Sequence, residues 1–379
     1  MSEIENAEEW KDRVAVVYWL RCQLGIKISG VRTRQCKEKE NWPYFWYEMT
    51  SVEPNVDQGG KEKRKRRFGA RTSAEEALEG IDLTGRTVLI TGSTHGIGKE
   101  TAKQLAHKGA HVVMANRNQE LAEQVRKEIK GDNDNIQVDL LQLDLSSLES
   151  VKECAEEFLK QGWPLHILIL NAGIISSPEK QTKNGFSSVF GVNHLGHFYL
   201  TSLLKEKLLE SAPARVVVLS SGSHRHTGIS PAAPIEEKVK ALTPGPDTTV
   251  NGYRQYALSK LCNVLFGFKL HRDLFDKGVI VNVVHPGNMV QTNIASSYGL
   301  LGKFAYLCVK PFTKNMSQGA STSVYCAVHP DLNEVGGRYF ESCWDDDSNL
   351  AGALANDVEL QDALWEKSVQ LIEQAGFTV

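Results

Sequence analysis

Three absences narrow the class of this 379-residue chain. No apolar run approaches the ~18 residues that a membrane helix needs. VAVVYWL at 14–20 is short, and acidic residues precede it where a secretory signal would carry positive charge. Paired cysteines are missing as well. The seven cysteines, at 22, 36, 154, 262, 308, 326 and 343, are scattered, odd in number and never spaced Cys-x-x-Cys. That argues against a disulfide frame or a zinc site and for free thiols in a reducing compartment. The histidines show no ligand spacing either, so no metal is expected. Finally, the net charge of −3 offers nucleic acid no strong attraction. What remains is the composition of a soluble globular protein with chain enough for one large domain or two.

Residues 1–80 read as an N-terminal extension. They hold four of the seven tryptophans and a basic run, KEKRKRR at 61–67, with little sustained periodicity. The basic run is open to three readings: a nuclear-targeting patch, a site for an acidic partner, or a solvated linker. Much of 50–75 is expected to be flexible. From Arg86 the texture changes to strand alternating with helix. RTVLITG (86–92), HVVMANR (111–117), IQVDLLQLDL (136–145), PLHILILNAG (164–173), ARVVVLSS (214–221) and VIVNVVHPG (279–287) read as strands. Amphipathic or apolar helical stretches separate them, and a polar loop fills 222–252. This rhythm predicts an α/β fold of Rossmann type: a doubly wound parallel sheet with helices on both faces. The domain is placed at 81–345, with a helical C-terminal tail over 346–379.

TGSTHGIG (91–98) sits where the first strand turns into the first helix. Gly92, Gly96 and Gly98 let backbone approach a pyrophosphate, and the helix N-terminus supplies N–H groups and positive potential. The spacing is G-x-x-x-G-x-G rather than the commoner G-x-G-x-x-G. The whole turn is taken as the phosphate cradle: Thr91, Gly92, Ser93, Thr94, His95, Gly96, Ile97 and Gly98. An NAD-preferring site places an acid at the end of the second strand; here Asn116 and Arg117 stand there. Arg117 suits a 2′-phosphate and points to NADP(H), the alternative being an ordinary surface arginine. Asp144, followed by Leu145, ends the third strand. It is a candidate for the adenine amino group or for a helix cap.

VNGYRQYALSKL (250–261) opens a helix with two tyrosines, a serine and a lysine. Tyr256 and Lys260 are one turn apart on one face, whereas Tyr253 lies two turns from Lys260. Only Tyr256 is close enough for the ammonium to favour its phenolate, which is the tuning a general acid/base needs. Taken alone, such a pair is common on solvated helices.

Other pieces complete a pattern: Asn171, Ala172 and Gly173 end the fourth strand, Asn193 lies in the long helix, the serines 220–221 end the fifth strand, and Pro286 and Gly287 end the sixth. The ordered set TGxxxGIG, NAG, N, S, YxxxK and PG resembles the short-chain dehydrogenase/reductase superfamily over about 82–345. SAPARVVVLSSGSHR, VNHLGHFYL, VVHPGNMVQTNI and PFTKNMSQGASTSVYCA are similar to its retinol-dehydrogenase-like branch, and to the members of that branch that carry WW modules ahead of the dehydrogenase domain. The resemblance implies Tyr256 as acid/base, Lys260 as its partner and a holder of the nicotinamide ribose, and Ser221 as the group that orients the substrate oxygen. It implies Asn193 as the holder of a water linking Lys260 to solvent. It also implies an NADP(H)-dependent exchange of hydride with a lipophilic alcohol or carbonyl, steroid- or retinoid-like. A homodimer and protein partners are expected by analogy only.

The chain departs from that branch at its start. Trp19 and Trp42 have the separation of a WW module, but no aromatic lies between residues 20 and 41 and Pro43 follows Trp42 at once. Both WW modules are read as missing. The segment 222–252 is expected to face the substrate; the apolar residues Ile229, Met289, Leu300, Leu301 and Phe304 are open to three readings, as substrate-facing, membrane-contact or dimer surface. His194, His197, His224 and His226 are read as structural or substrate-lining. The location expected is cytoplasmic, with the nucleus open through 61–67. The rival reading is a cofactor-binding interaction platform in signalling or apoptosis, for which an intact serine, tyrosine and lysine would serve no purpose.

Overall fold

TVLIT, ILIL and VIVNVVH are mostly apolar and buried along nearly their whole length, which suits strands covered on both faces. The computed structural model describes residues 67–287, 314–345 and 347–379. The WW reading, the run 61–66 and the residues Met289, Leu300, Leu301 and Phe304 lie outside them. Seven strands form one sheet: β1 Thr87–Thr91, β2 His111–Asn116, β3 Val138–Gln142, β4 Ile167–Leu170, β5 Ala214–Leu219, β6 Val279–His285 and β7 Tyr339–Glu341. Their order is β3-β2-β1-β4-β5-β6-β7, and every pair is parallel. The order reverses between β1 and β4, and the crevice outside those strand ends is where such sheets bind ligands.

Side chains alternate between the two faces of each strand, so each strand feeds two cores. Leu89, Leu168, Val216 and Val218 enter one with α4 Leu148–Lys160, the long helix α5 over 188–210, α7 Gly252–Leu274 and α10 Val358–Gln374. Val88, Ile90, Ile169 and Val217 enter the other with α1 Ala74–Ala77, α2 Gly96–His107, α3 Gln119–Lys130 and α8 Met316–Val328. Helix α5 has three parts: a short α-turn Ser188–Phe190, a π-helical turn Gly191–Leu195 and an α-helical body Gly196–Glu210. π-turns of this kind concentrate at functional sites, and this one contains Asn193.

Two features differ from the sequence reading. The polar loop 222–252 contains a helix, α6 Ile235–Leu242, whose Lys238 is buried and pairs with Asp357 at 2.9 Å. In the same loop, Ile229 is half-buried and packs against the core. Residues 67–75, within the stretch expected to be flexible, are docked. Phe68 meets Tyr325 and His329 edge-on with centroids 5.4 and 5.3 Å apart, Ser73 caps α1 in a capping box, and the Ala74 N–H donates to Ser317 Oγ at 2.9 Å. A second short helix, α9 Gly352–Ala355, leads into α10, whose Leu360, Leu364 and Ile372 are fully buried.

Candidate active site

The turn from β1 into α2 is built for close approach of backbone. A Cβ on Gly98 would lie 2.3 Å from Asn171 Nδ2 and 2.4 Å from Gly92 O, a collision no side chain survives. The N-cap residue of α2, His95, makes no side-chain cap, and the first turn carries no acid. By contrast Asn118, Ser147 and Asn251 cap α3, α4 and α7. The opening N–H groups of α2 are therefore left for an anion. A cleft of about 800 Å³ lies before them, lined by Gly92, Thr94, His95, Ile97, Gly98, Asn116, Arg117, Asp144, Leu145, Asn171, Ala172 and Gly173. The sequence reading missed the rim formed by Ile174, Ser176, Ser177 and Glu179. Its one sequence signal is position, directly after the Asn-Ala-Gly turn.

Several predicted cofactor residues turn out to be scaffold beneath that cleft. Thr91 is fully buried; its Oγ1 accepts from the N–H groups of Asn171 and Ala172, both at 3.0 Å. With both lone pairs used, its proton goes to His197 Nε2 at 2.9 Å, and His197 Nδ1–H then donates to Asn193 O at 3.2 Å. Asn171 Nδ2 donates to Thr91 O and Gly92 O, both at 2.9 Å, tying β4 to the glycine turn. The Asn116 side chain is buried: Oδ1 accepts from the Ser93 N–H at 2.7 Å and Nδ2 donates to Ser93 Oγ at 3.0 Å. Arg117 differs. It is exposed at the cleft, and its guanidinium meets no acid or acceptor among the described residues.

Asp144 lines the cleft with its carboxylate already engaged. Oδ1 accepts from the N–H of Ser146 at 3.0 Å and from its Oγ at 2.7 Å, and Oδ2 pairs with Lys183 at 3.2 Å. Burial works against the charge, but these partners outweigh it and hold the carboxyl below its ordinary range. The helix cap of α4 is Ser147, not Asp144. Pro286 and Gly287 follow β6, and Lys314 Nζ donates to Pro286 O at 3.2 Å and to Ser342 Oγ at 3.0 Å. Lys314 was not foreseen.

The catalytic candidates converge on the other side of Gly173. A Cβ there would lie 3.3 Å from Lys260 Nζ and 3.3 Å from Asn193 Oδ1, so the bare glycine lets the lysine reach the cleft wall. Lys260 is 4% exposed, donates to Leu219 O at 3.1 Å and lies 5.6 Å from the centroid of the Tyr256 ring. Burial pushes its ammonium down to about 8. Asn193 is fully buried. Its Oδ1 accepts from the Ile174 N–H at 2.7 Å, and its Nδ2 donates to Ile174 O and Ser259 Oγ, both at 2.9 Å. Its amide therefore locks the cleft rim to α7.

The adjacent serines separate cleanly. Ser220 is buried and donates to Lys260 O at 2.8 Å. Ser221 is half-buried and shares only 3.3 Å contacts with Ser223, which leaves its hydroxyl able to take a better partner. Tyr253 reaches away, to His226 Nδ1 at 2.8 Å and Ser223 Oγ at 3.3 Å. His194, His197 and His224 are buried, and burial pushes the first two down to about 3 and the third to about 4. They are neutral structural rings.

A short chain dehydrogenase family model matches residues 86–232. The chain is 42% identical to a WW domain-containing oxidoreductase of Danio rerio over 311 residues, 82% of this chain and 74% of the relative. It is 39% identical to Retinol dehydrogenase 12 of Mus musculus over 295 residues, 77% of this chain and 88% of the relative. Among solved structures, an uncharacterised protein of Mycobacterium Paratuberculosis superposes with a TM-score of 0.58 at 28% identity, covering 80% of this chain and 97% of that one. Fold, glycine turn and sequence identity agree: the chain is an oxidoreductase that belongs to the short-chain dehydrogenase/reductase family and stands there with the WW domain-containing oxidoreductases.

Proposed function

We propose that the chain uses NADP(H) to exchange hydride with a lipophilic alcohol or carbonyl, with Tyr256 as the acid/base. The observation that carries this reading is the placement of Lys260. Its buried ammonium sits 5.6 Å from the Tyr256 ring and against the glycine that forms the cleft wall. A cation held there stabilises negative charge on the phenol oxygen as the proton leaves.

The nicotinamide, when bound, supplies or accepts the hydride. Gly98 and the opening N–H groups of α2 would hold the pyrophosphate, and Arg117 would take the 2′-phosphate. In the reducing direction, Ser221 holds the carbonyl oxygen and the Tyr256 hydroxyl donates its proton to that oxygen as the carbon is reduced. In the oxidising direction the same phenol oxygen accepts the proton. Asn193 acts through position, fixing the Ile174 rim and Ser259. Retinol dehydrogenase 12 of Mus musculus carries an apolar alcohol in its name, which supports a lipophilic substrate class here.

Fluorescence titration of the full chain with NADPH and NADH tests the reading. NADPH should bind at least tenfold tighter, about the strength of one charge-assisted contact. Binding of neither would remove the nucleotide role and favour a protein that serves as an interaction platform.

A further inference from the structure

At the end of the sheet opposite the cleft, a second cavity of about 380 Å³ opens among the amino-terminal ends of β1, β4, β5 and β6. That volume is within the range of small-molecule sites. Leu83, Ile280 and Val328 contribute apolar walls, and Arg86, His166 and Arg215 line the rest. No carboxylate lines the cavity, and neither guanidinium has an ion-pair partner among the described residues.

Arg215 is held in place by neutral groups. It donates to Cys326 O at 3.3 Å, His329 O at 2.9 Å and Asn333 Oδ1 at 2.7 Å, at the carboxyl end of α8. A cation is favourable at a helix C-terminus, and that accounts for Arg215. It does not account for Arg86, a second cation whose one hydrogen bond is a long 3.5 Å contact to Pro213 O. Burial pulls the Arg215 guanidinium below its ordinary range, and the charge on Arg86 adds to the effect. Two like charges beside each other in a half-buried site call for an anion.

His166 completes the arrangement. The Thr87 N–H donates to its Nδ1 at 3.0 Å, which leaves the proton of the neutral ring on Nε2 as a donor. Burial and Arg86 hold this ring below the ordinary imidazole range. We propose that the cavity is a second binding site, for a small organic anion with a carboxylate head between Arg86 and His166 and an apolar body along Leu83, Ile280 and Val328. It shares no residue with the cleft and does not depend on the reaction proposed above.

Hexanoate, hexanol and inorganic phosphate should be titrated into the full chain while the His166 ring is followed by NMR, its resonance assigned with His166→Gln. Hexanoate should shift that resonance saturably and raise the pH at which the ring titrates, because a bound carboxylate offsets the field of Arg86. Hexanol should bind about tenfold more weakly or not at all. Arg86→Gln should weaken hexanoate by a similar factor, and Arg86→Lys should restore part of it. Three results would overturn the assignment: no saturable shift with any probe, hexanol equal to hexanoate, or an affinity unchanged in Arg86→Gln. Phosphate binding as tightly as hexanoate would remove the apolar body from the proposal.

Discussion

The two halves of the cleft are built on opposite principles. On the side of β4, β5 and α7, the groups nearest the cleft wall are buried. Lys260 is 4% exposed, His197 is 2% exposed, and Asn193 has both amide atoms engaged. On the side of β1 and β2, the group expected to read the ligand, Arg117, is exposed and lacks a partner among the described residues. Burial makes electrostatic effects strong and couples them to stability; exposure makes them weak, screened and separable from folding. The comparison therefore predicts that changes in the first half disturb chemistry or folding severely, while changes in the second alter preference alone.

The sharpest way to break that contrast is within α7. Tyr256→Phe removes the proposed proton donor without changing the packing of the ring. Turnover should fall on the order of 10³-fold, the range for a positioned acid/base, while NADPH affinity stays within a few-fold. Tyr253→Phe, three residues earlier, loses the bonds to His226 and Ser223 and should keep most of the activity. Comparable turnover in both variants would remove Tyr256 from the mechanism.

The buried imidazoles set the next largest effect. His194, His197 and His224 stay neutral in the folded chain down to about 3, 3 and 4, whereas a free imidazole takes a proton near 6.5. Between those values the unfolded chain binds protons that the folded chain does not. Stability is therefore greatest above pH 6.5 and falls as the pH drops, by about 1.4 kcal/mol per pH unit for each ring. Urea unfolding at pH 7, 6 and 5 measures this. A midpoint unchanged down to pH 5 would mean that these rings protonate in place. Lys260 acts in the same direction at higher pH. Its folded value of about 8 lies below the ordinary 10.5, so deprotonation of the folded chain adds stability as the pH rises through that interval.

Ser220 and Ser221 give the comparison at its smallest spacing. Ser221→Ala should reduce turnover about 10²-fold with little change in stability, since its present contacts are long. Ser220→Ala should do the reverse: it loses a 2.8 Å bond to Lys260 O and about 1 kcal/mol of stability, with turnover nearly intact. Parallel denaturation and activity measurements on the two variants separate these outcomes.

These pairs also mark how far the sequence could be read. The sheet was legible because five of its first six strands are largely apolar runs closed by Gly, Asn, Ser or Pro, and strand ends are where the motif residues sit. β7, three residues long, is too short to show a period, and α6 was hidden by the Gly and Pro around it. Within the site, the type of residue was legible but the direction of the side chain was not. Asn116, Ser93 and Thr91 occupy positions suited to a cofactor, yet their side chains point into the scaffold. That direction depends on partners such as His197, which is 106 residues away from Thr91 in the chain. Long-range pairs of this sort leave no local pattern.

Arg117 should give the smallest effect, and that smallness is the point of the test. Arg117→Asp replaces an exposed cation with an anion at the end of β2, where an acid would suit the ribose hydroxyl of NAD. NADPH affinity should drop by about tenfold and NADH affinity should rise by less, with the unfolding midpoint unchanged. In the unaltered chain, the preference for NADPH should also shrink as salt rises from 0.05 to about 0.5 M, because an exposed pair is screened. The Tyr256–Lys260 contribution to turnover, carried by a buried charge, should barely respond to the same salt. A preference that ignores salt would place the reading of the phosphate in a buried group and would erase the distinction between the two halves.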